Sequence, residues 1–160
     1  MINFDPLMLF GIVIVFHIIR KPKWKWGSLK LGASEILVFC LFTVLAYSTA
    51  KFIFNSNLSC QSTAWLRILF IAPVVEEIFF RQILFSKVKK YTNLNFSVIL
   101  TSFLFSFGHF YHQGLISSMI IFFLGIIFQF FYIKNGLILS ILAHVAYNFI
   151  SLIFSCNFPQ

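Results

Sequence analysis

The chain has 160 residues, of which 60% are hydrophobic and only 10% are charged. A soluble domain is about 45–50% apolar and about 25% charged, so the composition excludes both an ordinary water-soluble globule and a disordered chain. The net charge is +8, but the basic residues lie in gaps between apolar runs and not along one stripe. This pattern is typical of a membrane protein and not of a nucleic-acid-binding protein.

Six apolar segments are predicted to cross a bilayer, where a span needs about 17–25 residues. In chain order they cover residues 6–19, 32–54, 65–85, 96–110, 115–133 and 137–154. No soluble domain, internal repeat or low-complexity tract separates them. The sequence therefore predicts an all-α fold over residues 1–160, a single integral membrane domain built as a polytopic transmembrane helical bundle of about six spans.

The connectors between these spans are short and carry most of the positive charge. They are the loops at 20–30, 55–63 and 86–95, a turn at Gly114 and a turn at 134–136. The first, third and fifth of them contain Arg20, Lys21, Lys23, Lys25, Lys30, Lys87, Lys89, Lys90 and Lys134. Because basic loops stay in the cytoplasm, these three are predicted to be cytoplasmic and both termini extracytoplasmic.

The cysteines predict no site. Cys40, Cys60 and Cys156 are odd in number and widely separated. They match neither the spacing of a metal site nor a disulfide framework. We interpret them as incidental apolar residues.

The third span contains charges that are costly inside a bilayer. Glu76 and Glu77 lie near its middle, where an acidic residue costs on the order of 3 kcal/mol and therefore indicates a functional site. Glu77 and Arg81 are four residues apart on one helix face and are predicted to form an ion pair. Glu76 is about 100° around the helix from Glu77, so its less neutralised carboxylate suits a general base. Pro73, one turn earlier, loosens the backbone and can admit water.

Two later spans carry isolated polar side chains. His109 follows Phe105 by four residues, and Asn148 follows His144 by four, so each pair shares one helix face. A single histidine of this kind is more typical of a hydrogen-bonded residue inside a bundle. Two imidazoles and one amide on separate helices, together with Glu76, instead predict a site that activates water.

These residues resemble the three motifs of the CPBP family of intramembrane proteases, which includes the CAAX prenyl endopeptidases and bacteriocin-processing or immunity proteins. The family patterns are EExxxR, FxxxH and HxxxN. Here they read EEIFFR at 76–81, FSFGH at 105–109 and HVAYN at 144–148. Each pattern alone is weak, but three in order and in separate spans are specific. The resemblance covers residues 65–150, the motif-bearing core of the domain.

The resemblance implies hydrolysis of a peptide bond within the membrane. Glu76 would be the base that acts on the attacking water, assisted by His109. His144 and Asn148 would bind that water or donate to the oxyanion of the tetrahedral intermediate. The resemblance also implies two supporting roles. Glu77 and Arg81 would form a structural ion pair, and Phe105 would be the aromatic residue of the second motif.

The metal dependence stays open at this point. Glu76, His109 and His144 could supply the His₂Glu ligands of a catalytic zinc ion, with one position left for water. The sequence lacks the HExxH spacing of soluble zinc proteases, and related enzymes are also regarded as metal-free glutamate proteases. A zinc ion and no metal are both compatible with these residues.

The expected substrate is a membrane-associated peptide or protein within the lipid bilayer, with no nucleic-acid partner. The chain is short for the prenyl proteases of this family, which favours bacterial peptide maturation or bacteriocin self-immunity over CAAX processing. Two alternatives from other function classes remain. One is a non-catalytic immunity protein that binds its target, and the other is a small transporter or proton relay, because intramembrane Glu, Arg and His also serve ion pathways.

Overall fold

The computed structural model describes residues 25–27, 32, 65 and 67–157, with the side chains of 112, 113 and 154–157 left out. Within this part of the chain every element is a helix or a turn. The predicted span at 6–19, nearly all of the one at 32–54, the loop at 55–63 and the three cysteine side chains lie outside it. The all-helical prediction is confirmed for the described residues, whereas the number of six spans stays a prediction.

The predicted third span forms one continuous helical segment, α1, in which π-helical and α-helical turns alternate. Its parts are Arg67–Ile71 (π), Ala72–Glu77 (α), Ile78–Phe85 (π) and Ser86–Val88 (α). Pro73 lies in the first turn of the α-helical part, where the absence of an N–H is tolerated. In a π-helix the carbonyl of Ile68 would bond to the N–H of residue 73. Pro73 has no N–H, so this carbonyl is left for another donor.

The predicted fourth and fifth spans form a helical hairpin. A helix over Leu94–Asn135 is interrupted at Gly114, whose φ is 76°; we name its halves α2 (94–113) and α3 (114–135). Gly125 of α3 lies against Ser102 of α2, since a Cβ atom on Gly125 would lie 3.2 Å from the Cβ of Ser102. This contact requires the chain to reverse at Gly114. Small residues of this kind allow close helix approach in membranes.

The loop between α1 and α2 is shorter than the predicted connector at 86–95. Helix α1 continues to Val88, and α2 begins at Leu94. The reason is Asn93, whose side chain accepts a hydrogen bond from the N–H of Phe96 at 2.9 Å and so caps the helix. The predicted sixth span is helix α4, Leu137–Asn157, which starts directly after the turn at Gly136.

Two of the described helices are long and apolar enough to cross a membrane, by length and composition. They are Leu94–Tyr111 and Gly114–Asn135, and the apolar stretch Leu137–Ile153 of α4 is shorter. Only 28% and 44% of the first two are buried, and their exposed side chains include Phe103, Phe107 and Phe123. A core helix of a soluble protein would be mostly buried, so these surfaces suit lipid.

A hydrophobic core joins α1, α2, α3 and α4. Its buried members are Phe80, Phe105, Ile121, Leu124, Phe128, Phe131, Leu139 and Ala143. The aromatic rings within it meet edge to face, with centroids 5.2 Å apart for Phe80 and Phe105 and 6.3 Å apart for Phe105 and Phe128. Phe105 and Phe128 also contact charged groups, so this core supports the polar site described below.

The basic first loop packs on the turn between α3 and α4. The N–H groups of Leu137 and Ile138 donate to the carbonyls of Lys25 and Trp26 at 2.9 and 3.1 Å, so the loop supplies acceptors for the first N–H groups of α4. The Lys25 ammonium donates to the carbonyl of Ile133. Partial burial, with repulsion from Lys89, lowers the pKa of Lys25. The first and fifth loops are therefore in contact at one end of the bundle. Which side of the membrane this is, and where the termini lie, stay predictions.

Two glycines, Gly27 and Gly136, make the contact between the first loop and the turn before α4 possible. Gly27 and Gly136 have φ of +84° and +89°, and a Cβ atom on Gly27 would overlap the carbonyl oxygen of Asn135. We expect Gly27→Ala to destabilise the protein by at least about 2 kcal/mol, because backbone strain and overlap add. The matched control is Gly108→Ala, since no heavy atom lies within 4 Å of a Cβ atom there. Equal thermal midpoints for the two purified variants would contradict the described contact.

Candidate active site

Glu77 binds three side chains of the site. Its side chain is fully buried, and Oε2 accepts from Nε of Arg81 at 3.0 Å. The same oxygen accepts from Oγ of Ser140 on α4 at 2.5 Å. The other oxygen, Oε1, lies 3.1 Å from Nδ1 of His144. The ion pair predicted for Glu77 and Arg81 is present, and it also reaches across to α4.

The ring of His144 is oriented by Glu77 and by two aromatic rings. Because an ionised carboxylate only accepts hydrogen bonds, Nδ1 of His144 carries the proton in its contact with Glu77. The imidazole stacks on Phe128, with centroids 4.8 Å apart and planes 19° from parallel, and meets the edge of Phe105 at 5.7 Å. The other ring nitrogen, Nε2, is thereby directed towards Glu76.

Glu76 is less enclosed than its neighbour and has no arginine or lysine partner among the described residues. Its Oε2 lies 3.8 Å from Nε2 of His144, and its side chain is 14% exposed, compared with 0% for Glu77. A separation of 3.8 Å is too long for a direct hydrogen bond and short enough for both atoms to contact one water molecule. The two adjacent carboxylates therefore have different surroundings, as their register on the helix predicts.

Phe105 lies between the two histidines. Its ring centroid is 5.0 Å from that of His109 and 5.7 Å from that of His144. Nδ1 of His109 lies 2.9 Å from the carbonyl oxygen of Phe105, and a carbonyl can only accept, so Nδ1 carries the proton. In the neutral form of an imidazole with this tautomer, Nε2 is the acceptor. The aromatic residue of the second motif thus positions both imidazoles.

Asn148 lies one turn after His144 on α4, but its amide bonds to backbone. Nδ2 donates to the carbonyl of Ile68 at 2.8 Å, the carbonyl that Pro73 leaves without its π-helical donor. Asn148 therefore joins α4 to the irregular start of α1. One N–H of Nδ2 remains for water or substrate.

Arg81 supplies a buried cation that contacts Glu77 and two aromatic rings. Its side chain is fully buried, and its Cζ lies 5.0 Å from the ring centroid of Phe105 and 6.0 Å from that of Phe128. Such guanidinium–aromatic contacts are favourable. Nε binds Glu77, whereas Nη1 and Nη2 make no hydrogen bond in the described structure. The positive charge thus stabilises Glu77 at Oε2, whereas His144 contacts Oε1.

A known family matches the part of the chain that builds this arrangement. The type II CAAX prenyl endopeptidase Rce1-like family matches residues 58–150. The chain belongs to this family. Membership confirms the resemblance inferred from the three motifs and implies a protease that acts on a peptide or protein substrate. Together with the apolar helices α2 and α3, it also indicates a membrane protein. No significant match was found among curated proteins or among solved structures.

The three predicted zinc ligands, Glu76, His109 and His144, are not grouped together in the described part of this Rce1-like protein. Among the residues at 25–27, 32, 65 and 67–157, no three His, Cys, Asp or Glu side chains are grouped to hold a metal ion. Glu76 and His144 lie close together, whereas His109 contacts Phe105 and its own helix backbone. Zinc binding by Glu76, His109 and His144 stays a prediction that elemental analysis of the purified protein can test.

Sequence reasoning about the Rce1-like site missed the contacts that cross between helices. It assigned Glu77 to Arg81 alone, whereas the structure also joins Glu77 to His144 and Ser140. The prediction that Asn148 binds the water or donates to the oxyanion does not include the bond from its amide to the carbonyl of Ile68, and it stays a prediction for the second N–H. The sequence predictions do not include Ser140, although its spacing is a signal, because it precedes His144 by four residues and shares its helix face.

Proposed function

We propose that this Rce1-like protein is an intramembrane endopeptidase in which Glu76 activates the water that hydrolyses a peptide bond. The main support is the 3.8 Å approach of Glu76 Oε2 to His144 Nε2, with His144 oriented by a buried carboxylate. The carboxylate of Glu76 can accept a proton from water, and it lies next to the imidazole of His144. The tautomer of that imidazole is set by its contact with Glu77. The substrate we propose is a membrane-associated peptide or protein.

The first step is attack of water on the scissile carbonyl carbon. Glu76 removes a proton from the water as the oxygen forms its bond to carbon, and the carbonyl oxygen becomes the oxyanion of a tetrahedral intermediate. The intermediate then collapses with cleavage of the C–N bond. Glu76 returns its proton to the departing amine, so the base is regenerated and one water is consumed.

The two imidazoles have different roles in this proposal. His109 presents Nε2 as an acceptor, which suits orientation of the attacking water beside Glu76. His144, when protonated, donates from Nε2 to the oxyanion, and the carboxylate of Glu77 stabilises the resulting imidazolium. The free N–H of Asn148 is a second donor for the oxyanion. Removing one such donor costs about 10²–10³-fold in rate in other enzymes.

The substrate class within this function is a further part of the proposal. The family name points to prenylated CAAX proteins, and we propose bacterial peptide maturation and bacteriocin self-immunity as the other two substrate classes. The alternatives of a non-catalytic immunity protein and a proton relay use the same residues for binding or proton transfer and predict no cleaved peptide.

A comparison of cleaved membrane peptides tests the function directly. Cells that produce wild-type protein are compared with cells that produce His144→Ala at the same level, and peptides from the membrane fraction are identified by mass spectrometry. We expect at least one peptide end to be present with wild type and absent with the variant. Prenylated, leader-bearing and bacteriocin-derived peptides in that set distinguish the substrate classes. Identical peptide sets would contradict the peptidase and leave the binding and relay functions.

A further inference from the structure

Ser140 is a buried hydroxyl outside the three motifs that lies on the functional face of α4. It precedes His144 by one helical turn, and its side chain is fully buried. Oγ lies 2.5 Å from Oε2 of Glu77 and 3.0 Å from the carbonyl oxygen of Phe128. A serine hydroxyl has one proton, and a charged acceptor gives the stronger hydrogen bond. The proton therefore belongs to the contact with Glu77.

Ser140 and His144 together bind both oxygens of one carboxylate. Ser140 donates to Oε2 and His144 to Oε1 of Glu77, so the carboxylate plane is bound along one helix face. Arg81 Nε reaches Oε2 from α1 and does not restrain Oε1. Without Ser140, Oε1 would keep His144 and Oε2 would keep Arg81, but Oε2 would lose its only donor from α4. The Glu77 carboxylate would then be fixed less firmly relative to α4, and so would the acceptor that sets the ring of His144.

We propose that Ser140 is a positioning residue that fixes the Glu77 carboxylate and, through it, the orientation of His144 towards Glu76. This inference rests on the proposed peptidase function. Ser140 itself touches neither water nor substrate in this proposal. It acts on the step in which His144 donates to the oxyanion, so it affects turnover and not substrate binding.

The test compares two buried serines in the purified full-length protein. We expect Ser140→Ala to lower kcat about 10-fold with an unchanged KM, since a hydrogen bond to a charged group is lost. Ser140→Thr keeps the hydroxyl and should restore most of the rate. The matched control is Ser102→Ala, because Ser102 is also fully buried and its Oγ has no hydrogen-bond partner in the described structure. The control should keep the kcat of wild type.

The possible results separate this inference from the proposed function. If Ser140 had only a structural role, Ser140→Ala would lower the thermal midpoint and the active fraction, and Ser140→Thr would not restore the rate. This result would overturn the positioning role of Ser140. An active wild type whose Ser140→Ala variant keeps full kcat would also overturn it while leaving the peptidase intact. A pure wild-type protein that cleaves no membrane peptide would instead contradict the peptidase, and the role of Ser140 in turnover would fail with it.

Discussion

The Glu76→Gln variant is expected to lose peptide hydrolysis by about 10²–10⁴-fold, the range typical for removal of a general base. Glutamine keeps the size and hydrogen-bonding shape of the side chain but cannot accept the proton of the attacking water. The side chain is partly exposed and its Oε2 lies 3.8 Å from Nε2 of His144, beyond hydrogen-bond distance, so the substitution should leave the fold intact. The rate is measured with purified protein and a membrane peptide identified in cells.

The same variant distinguishes the three functions considered. A peptidase loses cleavage, a proton relay loses proton flux in liposomes without any cleaved product, and a binding protein keeps its protective phenotype. Glu76→Asp serves as the control because it keeps a carboxylate at a shorter reach and should retain partial activity. Full hydrolysis by Glu76→Gln would remove Glu76 from the role of base and contradict the mechanism.

Local spacing accounts for the part of the site that the sequence predicts. Glu77 and Arg81 are four residues apart, and a helix brings such side chains together whatever else surrounds it. The same reasoning separates Glu76 from Glu77 and pairs Phe105 with His109. The helices from residue 67 onwards follow from apolar runs, and the breaks at Gly114 and Gly136 follow from glycines that adopt positive φ.

Contacts between helices could not be predicted in this way. The bond from Glu77 to His144 joins residues 67 positions apart, and it depends on which faces of α1 and α4 meet. The π-helical turns of α1 also shift side chains around its axis, and no simple apolar pattern indicates them. Asn148 is the clearest case, because its amide bonds to the carbonyl of Ile68, 80 residues earlier on another helix.

Replacing Arg81 with Met should have the largest effect on stability. The substitution removes the cation from a fully buried carboxylate and leaves Glu77 charged beside Ser140 and His144. Breaking a buried ion pair by removing one partner costs about 3–5 kcal/mol, measured here as the free energy of unfolding in detergent. The matched control is Lys87→Met, which removes an exposed cation from the same helix and should change stability by less than about 0.5 kcal/mol.

The double variant Glu77→Gln with Arg81→Met separates the structural role of Glu77 from its role towards His144. Neutralising both partners removes the uncompensated charge, so most of the lost stability should return. Hydrolysis should not return, because a neutral amide stabilises the His144 imidazolium poorly, and we expect a rate at least about 10²-fold below wild type. A stable double variant with wild-type kcat would show that Glu77 serves only the ion pair. Continued loss of both stability and activity would instead place the main contribution of Glu77 in the fold, because neutralising the pair would then not replace its buried contacts.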